Sequence, residues 1–340
     1  MKIFKLNRVL AASALLVAAA SAPALAAVLV LPVFTGLYVF GDSLSDGGNN
    51  SLVFGGLTGP NPGSPTFIPS LPYLPSNTYS NGQVWVNSFA AFLGLSSFAA
   101  PSLDGGGNYA YGGARMSIDG SGAPPFAPAP FPASVQTQLN GYLGGGPASA
   151  TALYVIAGGG NDVRAVGRVI ADGADPIETT LAAARSFATS AATMVGQLQA
   201  AGASNIVVWN VPDVGKTPTA GSGVGLAAVG ASSIASTFNS FLSGALAGTG
   251  AIIFDVFGLI GNVVNDPAAY GMSNVTQACG FVGNGCDAAT ALFWDGIHPT
   301  AYAQTIVTGG MLAAVPEPAT YLMFAVGVAG LLAWRRRSAV

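Results

Sequence analysis

Leu37-Tyr38-Val39-Phe40-Gly41-Asp42-Ser43-Leu44-Ser45-Asp46-Gly47-Gly48-Asn49-Asn50 is an apolar run followed by a polar, glycine-rich one. Four apolar residues that end in Gly-Asp-Ser predict a buried strand breaking into a turn, with Ser43 at the edge of a sheet. Such a serine is a candidate nucleophile. Because a serine hydroxyl is unreactive at its own pKa, this interpretation requires a base nearby and hydrogen-bond donors for an oxyanion.

The base has one candidate, because His298 is the only histidine among the 340 residues. It lies in Trp-Asp-Gly-Ile-His-Pro, residues 294–299, three positions after Asp295. On a tight turn this spacing places carboxylate and imidazole on the same side, so Asp295 can hold one ring nitrogen and leave the other for Ser43. An isolated Asp-x-x-His fits a surface histidine beside an unrelated aspartate equally well.

Two further blocks favour the catalytic interpretation: Asn-Tyr-Ala-Tyr-Gly-Gly-Ala-Arg at residues 108–115 and Gly-Gly-Gly-Asn-Asp at residues 158–162. Taken in order with Gly-Asp-Ser-Leu and Asp-x-x-His-Pro, they resemble the four signature blocks of the GDSL, or SGNH, hydrolases. The segments between the blocks are similar as well, so the resemblance covers residues 38–307. Gln83 and Lys216 depart from the usual family pattern, and both lie outside the four blocks.

The resemblance implies a serine hydrolase site. Its expected catalytic residues are Ser43, Asp295 and His298. Its expected oxyanion hole consists of the backbone N–H groups of Ser43 and Gly113 and the side-chain amide of Asn161. The spacing from Asn108 favours Gly113 over Gly112 as the backbone donor.

Strand-like and helix-like segments alternate along the chain. Short β-rich runs predict strands at residues 37–40, 153–157, 205–209 and 251–256. Apolar spacing and end signals predict helices at residues 84–93, 134–143, 176–201, 226–246 and 300–308. Strands that alternate with helices pair in parallel, which predicts an α/β fold, a three-layer α/β/α sandwich. The family resemblance implies the same architecture with a flavodoxin-like parallel sheet.

Proline-rich stretches at residues 55–77 and 123–132 exclude helix and central strand. We expect these loops to shape the substrate groove, although plain surface loops would have the same composition. Asp42 and Asp46 are expected to be hydrogen-bonded turn residues, and Asp162 to cap the turn that follows it. Arg115 is a candidate substrate contact. The glycine runs lack the lysine of a phosphate loop, which argues against nucleotide binding.

The two ends of the chain resemble targeting signals. Residues 1–26 show the basic, apolar and small-residue order of a secretory signal peptide, although a short membrane anchor is an alternative. Residues 315–340 contain Val-Pro-Glu-Pro, an apolar helix and three arginines, and they resemble the PEP-CTERM sorting signal. This implies a transmembrane helix for transient anchoring in the inner membrane of a Gram-negative bacterium and removal by an exosortase-type protease. A permanent anchor is the alternative. Residues 27–314 are the expected SGNH/GDSL hydrolase domain.

The expected hydrolase domain, residues 27–314, has few charged residues, and most of these are acidic. It holds five basic and thirteen acidic residues, a net charge of −8, which argues against nucleic acid as a partner. Cys279 and Cys286 form an even pair in a chain signalled for export, so a disulfide is the simplest expectation. Two thiols without a nearby histidine make a poor metal site, and we expect neither a metal nor another cofactor.

The leading functional hypothesis is an exported serine esterase or lipase that forms an acyl-enzyme on Ser43, acting on a lipid or an acylated carbohydrate at the cell envelope. A polysaccharide O-acetylesterase is a neighbouring hypothesis, and a phospholipase or acyltransferase is also open. A non-catalytic surface or matrix protein that keeps only the fold is the alternative from a different class. Retention of every residue of the expected site argues against it.

Overall fold

A four-stranded parallel sheet forms the centre of the fold. The computed structural model describes residues 34–123, 125, 127–315 and 327. The strands, hydrogen-bonded in this order, are β1 (Leu37–Gly41), β2 (Leu153–Ala157), β3 (Asn205–Trp209) and β4 (Ile252–Phe254). β1 lies in register with β2 from the Leu37/Leu153 pair to the Gly41/Ala157 pair.

A short parallel segment continues the sheet beyond β1. The Val39 N–H donates to the Gly107 carbonyl at 3.0 Å, and the Tyr109 N–H donates to the Val39 carbonyl at 2.8 Å. Because this segment comes second along the chain, the sheet has the flavodoxin-like order 2-1-3-4-5 with its second strand reduced to one bridge at Asn108. The site's second sequence block therefore lies directly beside β1.

Eight helices longer than a single 3₁₀ turn accompany the sheet within the described residues. They are α1 (Asn49–Val53), α2 (Trp85–Phe92), α3 (Val135–Leu143), α4 (Gly160–Ala171), α5 (Pro176–Ala200), α6 (Gly225–Leu246), α7 (Val256–Asn265) and α8 (Ala301–Ala314). A separate parallel pair, β5 (Asn274–Ala278) and β6 (Ala291–Phe293), precedes the histidine loop.

Successive residues of each strand point to opposite faces of the sheet. On one face Tyr154, Ile156 and Val208 join a buried apolar cluster with residues of α3, α4, α5 and α6. On the other face Trp209 packs against Trp85 of α2, with 5.0 Å between ring centroids, and donates its Nε1–H to Met311 Sδ of α8. Helices therefore cover both faces, which confirms the predicted three-layer α/β/α sandwich.

The predicted elements are largely present, with differences at their ends. β2 and β3 have the predicted bounds, and β1 extends by one residue to Gly41. The strand predicted at residues 251–256 is shorter, because Asp255 accepts the N–H of Gly258 and starts α7. Three helices, α1, α4 and α7, and the strand pair β5 and β6 were not predicted from the sequence. The helix predicted at residues 300–308 continues to Ala314.

Residues Phe34–Val315 form one compact unit. Within the part of the chain that the structure describes, no helix has the length and apolar character needed to cross a membrane. The predicted signal peptide lies outside the described residues, as does the predicted C-terminal sorting segment, residues 315–340, except for Val315 and Gly327.

Candidate active site

Ser43 lies in the tight turn that follows β1. Asp42 holds this turn: its carbonyl accepts the N–H of Ser45 at 3.0 Å and its carboxylate accepts the N–H of Leu44 at 3.0 Å. Gly41 is needed just before the turn, because a Cβ there would lie 2.6 Å from the Ala157 carbonyl oxygen of the neighbouring strand. The turn therefore presents the Ser43 side chain at the carboxyl end of the sheet, as the sequence predicts.

A continuous hydrogen-bonded chain links Ser43 to a buried carboxylate. The Oγ of Ser43 lies 2.8 Å from Nε2 of His298, and Nδ1 of His298 lies 2.7 Å from Oδ2 of Asp295. Relative exposure falls along the chain, from 8% for Ser43 to 3% for His298 and 0% for Asp295. The three residues expected to form a triad are thus together, in an arrangement that allows proton transfer from the hydroxyl to the imidazole.

The histidine loop is shaped by Asp295 itself. Its Oδ1 accepts the N–H groups of Ile297 and His298, both at 2.8 Å, which closes an Asx-type turn. Thr300 then caps α8 by accepting the N–H of Ala303 at 3.1 Å. These local hydrogen bonds follow from the Asp-x-x-His spacing. They orient the imidazole independently of its contact with Ser43.

Tyr73 is a site residue that the sequence analysis missed. Its hydroxyl donates to Oδ2 of Asp295 at 2.9 Å, and only 1% of the residue is exposed. Burial and the neighbouring carboxylate both raise the pKa of Tyr73, so the phenol stays protonated as a donor. Nothing in the sequence pairs this tyrosine of a proline-rich loop with an aspartate 222 positions later.

Asp46 distinguishes the two candidate backbone donors. Its Oδ2 accepts the N–H of Gly112 at 2.9 Å, so that N–H is occupied. Gly113 has a φ of +85°, and within the described residues neither the Gly113 N–H nor the Ser43 N–H has an acceptor. The N–H groups of Ser43 and Gly113 are therefore available to bind an oxyanion, whereas that of Gly112 is not.

The Asn161 amide is fixed at the start of α4. Its Oδ1 accepts from Nη1 of Arg164 at 3.1 Å, and its Nδ2 donates to the Ala114 carbonyl at 3.0 Å. Because an amide nitrogen carries two hydrogens, one donor remains for a ligand. The partners on both sides exclude the flipped amide, and Asn161 lines the same groove as Ser43 and Gly113.

We expect Asn161→Ala to lower kcat by about 10²- to 10³-fold, the usual cost of one oxyanion donor. Initial rates on a nitrophenyl ester would measure the loss. The matched control is Asn140→Ala, an exposed amide on α3 that is remote from the groove. An increase in KM alone, with kcat unchanged, would contradict a role in oxyanion stabilisation.

Buried carboxyls make the stability of this region depend on pH. Burial raises the pKa of both Asp42 and Asp46 to about 6, from the ordinary 3.8. At pH values between 3.8 and about 6, each carboxyl binds more protons in the folded chain than in the unfolded chain. Their contribution to the free energy of unfolding is therefore present at low pH and lost as the pH rises through about 6.

Asp46→Asn removes one of these titrating carboxyls. We expect the wild type to lose stability relative to this variant as the pH rises from about 4 to 7, so the difference in free energy of unfolding, wild type minus variant, falls. Urea unfolding at several pH values measures this difference. Asp104→Asn, at an exposed aspartate, is the matched control. A difference for Asp46→Asn that does not change with pH would show that the carboxyl titrates alike in both states.

Asp162 and Arg115 contact each other. Nε of Arg115 lies 3.4 Å from Oδ1 of Asp162, and Oδ2 of Asp162 accepts the N–H of Met116 at 3.0 Å. Asp162 thus fixes the chain after the oxyanion block, whereas the expected capping of the turn that follows it is absent, since no side chain caps α4. Arg115 is the partner of this carboxylate.

An apolar pocket extends inward from the nucleophile. This inner pocket is lined by Ser43 and His298 together with the apolar residues Trp209, Val256 and Ile260, and its volume is about 70 Å³. Ser43 and His298 therefore open onto a small, mainly apolar space.

An outer groove lies on the other side of Ser43. It is bounded by Gly113, by Ile68 and Pro69 of the first proline-rich loop, and by Phe131 and Pro132 of the second. Both proline-rich loops thus line a groove at the site, as expected.

The loop that carries the second proline-rich stretch, residues 117–134, is closed at its base. The N–H of Val135 donates to the Arg115 carbonyl at 3.0 Å, and the N–H of Gln136 donates to the Met116 carbonyl at 2.9 Å. These two bonds form a neck between the loop and the sheet. A small apolar cluster inside and beside the loop, Phe54, Ala127 and Phe131, packs separately from the main core.

The two cysteines form a disulfide in the structure. Cys279 and Cys286 close a loop with a sequence separation of 7 between β5 and β6. This disulfide lies in the chain segment that leads to the histidine loop.

Comparison with known families assigns the chain. The profile of the family described as GDSL-like Lipase/Acylhydrolase matches residues 37–308, from the first residue of β1 into α8. The chain belongs to this GDSL family. A second profile, the PEP-CTERM protein-sorting motif, matches residues 314–337 and indicates that this GDSL protein is exported.

Curated GDSL relatives include lipases and esterases. Lipase 1 of Photorhabdus luminescens is 34% identical over 188 residues, which are 54% of this chain and 23% of the relative. Esterase EstA of Pseudomonas aeruginosa is 30% identical over 315 residues, 81% of this chain and 46% of the relative. The chain thus spans less than half the length of these relatives.

Solved structures with a similar fold include phospholipase A1 from Streptomyces albidoflavus NA297. It is 16% identical, with a TM-score of 0.43, and the alignment covers 83% of this chain and 100% of that one.

Proposed function

We propose that this GDSL protein is an exported serine esterase or lipase that hydrolyses carboxylic esters through an acyl-enzyme on Ser43. One observation carries the proposal: the hydrogen-bonded chain from Ser43 through His298 to the buried Asp295, at 2.8 and 2.7 Å. Open N–H donors on Ser43 and Gly113 lie beside it. Family membership and the relatives named as lipase and esterase support the same reaction class.

In the proposed mechanism, Nε2 of His298 takes the Ser43 proton as Oγ bonds to the ester carbonyl carbon. The carbonyl oxygen becomes an oxyanion held by the N–H groups of Ser43 and Gly113 and by the Asn161 amide. His298 next protonates the leaving alcohol, and the acyl-enzyme remains. Water, deprotonated by His298, then releases the acid and restores Ser43. Asp295 stabilises the imidazolium in both halves.

The inner pocket favours a fatty acyl group over an acetyl group. Its apolar lining by Trp209, Val256 and Ile260 gains little from one methyl group, whereas each further buried methylene contributes about 0.8 kcal/mol. A lipid ester is therefore a better match to this pocket than a polysaccharide O-acetyl ester.

The test is hydrolysis of p-nitrophenyl acetate, butyrate and palmitate by the purified full-length protein. We expect kcat/KM to rise from acetate to butyrate at least. A preference for acetate would favour the O-acetylesterase. A folded protein with no turnover on any ester would favour the non-catalytic surface or matrix protein.

The proposed localisation is the envelope or extracellular surface of a Gram-negative bacterium. In this scheme residues 1–26 are a signal peptide, residues 27–314 the hydrolase domain, and residues 315–340 a sorting segment that anchors transiently in the inner membrane until an exosortase-type protease removes it. The PEP-CTERM motif at residues 314–337 supports the scheme, and a disulfide is typical of an oxidising compartment. Detection of the mature protein without its C-terminal segment by mass spectrometry would test it.

A further inference from the structure

The peptide that joins Gly112 to Gly113 carries one of the two backbone donors of the proposed oxyanion hole. A peptide unit is planar and trans, so its carbonyl and its N–H point in opposite directions. The direction of the Gly112 carbonyl therefore determines where the Gly113 N–H points. Since the Gly113 N–H has no acceptor within the described residues, its direction depends on what holds that carbonyl.

The side chain of Asn50 holds the Gly112 carbonyl. Asn50 is a buried residue of α1, and its Nδ2 donates to the Gly112 carbonyl oxygen at 3.0 Å. Because a carbonyl oxygen can only accept, the amide nitrogen must face it, which excludes the flipped amide. On the other side of Gly112, Oδ2 of Asp46 accepts its N–H at 2.9 Å. Gly112 is therefore held from both sides by buried groups.

Tyr79 holds Asn50 in turn. The Tyr79 hydroxyl oxygen accepts from Nδ2 of Asn50 at 2.7 Å. Burial raises the pKa of Tyr79, so its phenol stays neutral. The ring of Tyr79 lies against the imidazole of His298, with 5.4 Å between ring centroids and 35° between ring planes. Tyr79 therefore contacts the proposed base directly and the proposed oxyanion hole through Asn50.

The packing around Gly112 is tight. A Cβ on this residue would overlap the Tyr79 ring and lie 2.7 Å from Nδ2 of Asn50. Both amide hydrogens of Asn50 are used, whereas its buried Oδ1 has no partner among the described residues. An unpaired buried acceptor lowers stability. The two bonds that Asn50 donates are therefore its distinctive contribution to this region.

We propose that Asn50 is a positioning residue for ester cleavage, which holds the Gly112 carbonyl so that the Gly113 N–H points at the oxyanion. Tyr79 maintains this arrangement and links it to His298. This inference rests on the proposed ester hydrolysis and concerns the same site. Within the described residues neither Asn50 nor Tyr79 hydrogen-bonds to Ser43 or His298, so their loss should weaken oxyanion binding and leave the nucleophile and base in place.

A matched pair of ketones separates this role from a general loss of structure. With 1,1,1-trifluoro-2-octanone, Oγ of Ser43 bonds to the carbonyl carbon, and the electron pair of the broken C=O π bond moves to the oxygen, which becomes an oxyanion. The Ser43 proton passes to Nε2 of His298. The plain ketone 2-octanone has the same chain, but its carbonyl is too weakly electrophilic to form this adduct in quantity. The ratio of the two inhibition constants therefore reports on oxyanion binding.

Both inhibition constants are measured on the full-length protein against hydrolysis of p-nitrophenyl butyrate. We expect the wild type to bind the trifluoro ketone about 10²-fold more tightly than 2-octanone, or better. Asn50→Leu keeps the bulk of the side chain without its donors. It should lower this preference and kcat/KM by about 10- to 100-fold each, less than the full cost of one oxyanion donor, and leave 2-octanone binding unchanged. Tyr79→Phe keeps the ring and should lower both by about 3- to 10-fold, the range of one neutral hydrogen bond.

Asn49→Leu is the matched control. Asn49 is the neighbouring buried amide of α1, and its Nδ2 donates to the carbonyls of Asn108 and Ala110 in place of Gly112. Its loss should lower the free energy of unfolding and leave the preference between the two ketones unchanged.

A lower kcat/KM in Asn50→Leu with an unchanged ketone preference would overturn the proposal, because it would show that Asn50 acts only through the fold. Equal losses of preference in Asn50→Leu and Asn49→Leu would overturn it as well. If Asn50→Leu does not fold, Tyr79→Phe decides, and an unchanged preference in that variant counts against the proposal. A wild type that hydrolyses no ester and shows no ketone preference would refute the proposed function, and the positioning role with it.

Discussion

Ser43→Ala is expected to lower kcat on p-nitrophenyl butyrate by on the order of 10⁶-fold, the scale seen when a serine hydrolase loses its nucleophile. The Ser43 hydroxyl has one hydrogen-bond partner among the described residues, Nε2 of His298, so its removal should leave the fold intact. Burst and steady-state kinetics, together with mass spectrometry of the acylated protein, would measure the loss.

Ser70→Ala is the matched control for this variant. Ser70 lines the same outer groove, and among the hydrogen bonds of the described residues none joins it to His298, so its loss should leave the rate within a few-fold of wild type. Activity of Ser43→Ala near that of Ser70→Ala would exclude Ser43 as the nucleophile.

Asp295→Asn is expected to lower kcat by about 10⁴-fold, as in a triad whose imidazole is held in the wrong tautomer. The structure fixes the orientation of the new amide. Its oxygen must take the Oδ1 position, where the N–H groups of Ile297 and His298 require an acceptor. The NH₂ group then faces Nδ1 of His298 and donates to it. The ring proton moves to Nε2, which can no longer accept the Ser43 proton.

The measurement is kcat across pH 6 to 9 for Asp295→Asn, with Asp104→Asn at an exposed aspartate as the control. Retention of the folded state is checked by circular dichroism. A loss below about tenfold would mean that His298 keeps its tautomer without the carboxylate, contrary to the arrangement in the structure.

The central strands were predictable because their residues are buried on both faces. β2 and β3 are five-residue runs of mostly apolar, β-favouring residues, and Gly158 and Asn210 follow them directly. β4 was predicted too long because the apolar run from Ile252 into α7 contains no break except Asp255. An aspartate that caps a helix and one that ends a strand look alike in the sequence.

The helix α4 was missed because glycine surrounds its start. Gly158, Gly159 and Gly160 indicate a loop, yet Val163, Val166 and Ile170 form an apolar stripe at helical spacing that packs into the main core. The stripe was the available signal. Asn161 therefore lies in the first turn of a helix, and this explains how Arg164, one turn later, reaches its amide.

The nucleophile and the base were accessible from local patterns, whereas the contacts that support them were not. Asp295 and His298 are close because of a three-residue spacing. By contrast, the bonds from Asp46 to Gly112 and from Tyr73 to Asp295 join segments that are 66 and 222 positions apart. Such contacts depend on how loops cross the sheet edge, and no local pattern determines that.

The closed neck of residues 117–134 has a consequence for how this enzyme can change. Two backbone bonds between residues 115–116 and 135–136 hold the ends of the loop whatever lies between them. Doubling the length of a flexible loop costs only about 0.6 kcal/mol of closure entropy. Insertions or exchanges beyond the neck can therefore rebuild one wall of the outer groove while Gly113 and Asn161 stay in place. The shape of this groove can therefore evolve, or be engineered, independently of the residues beside Ser43.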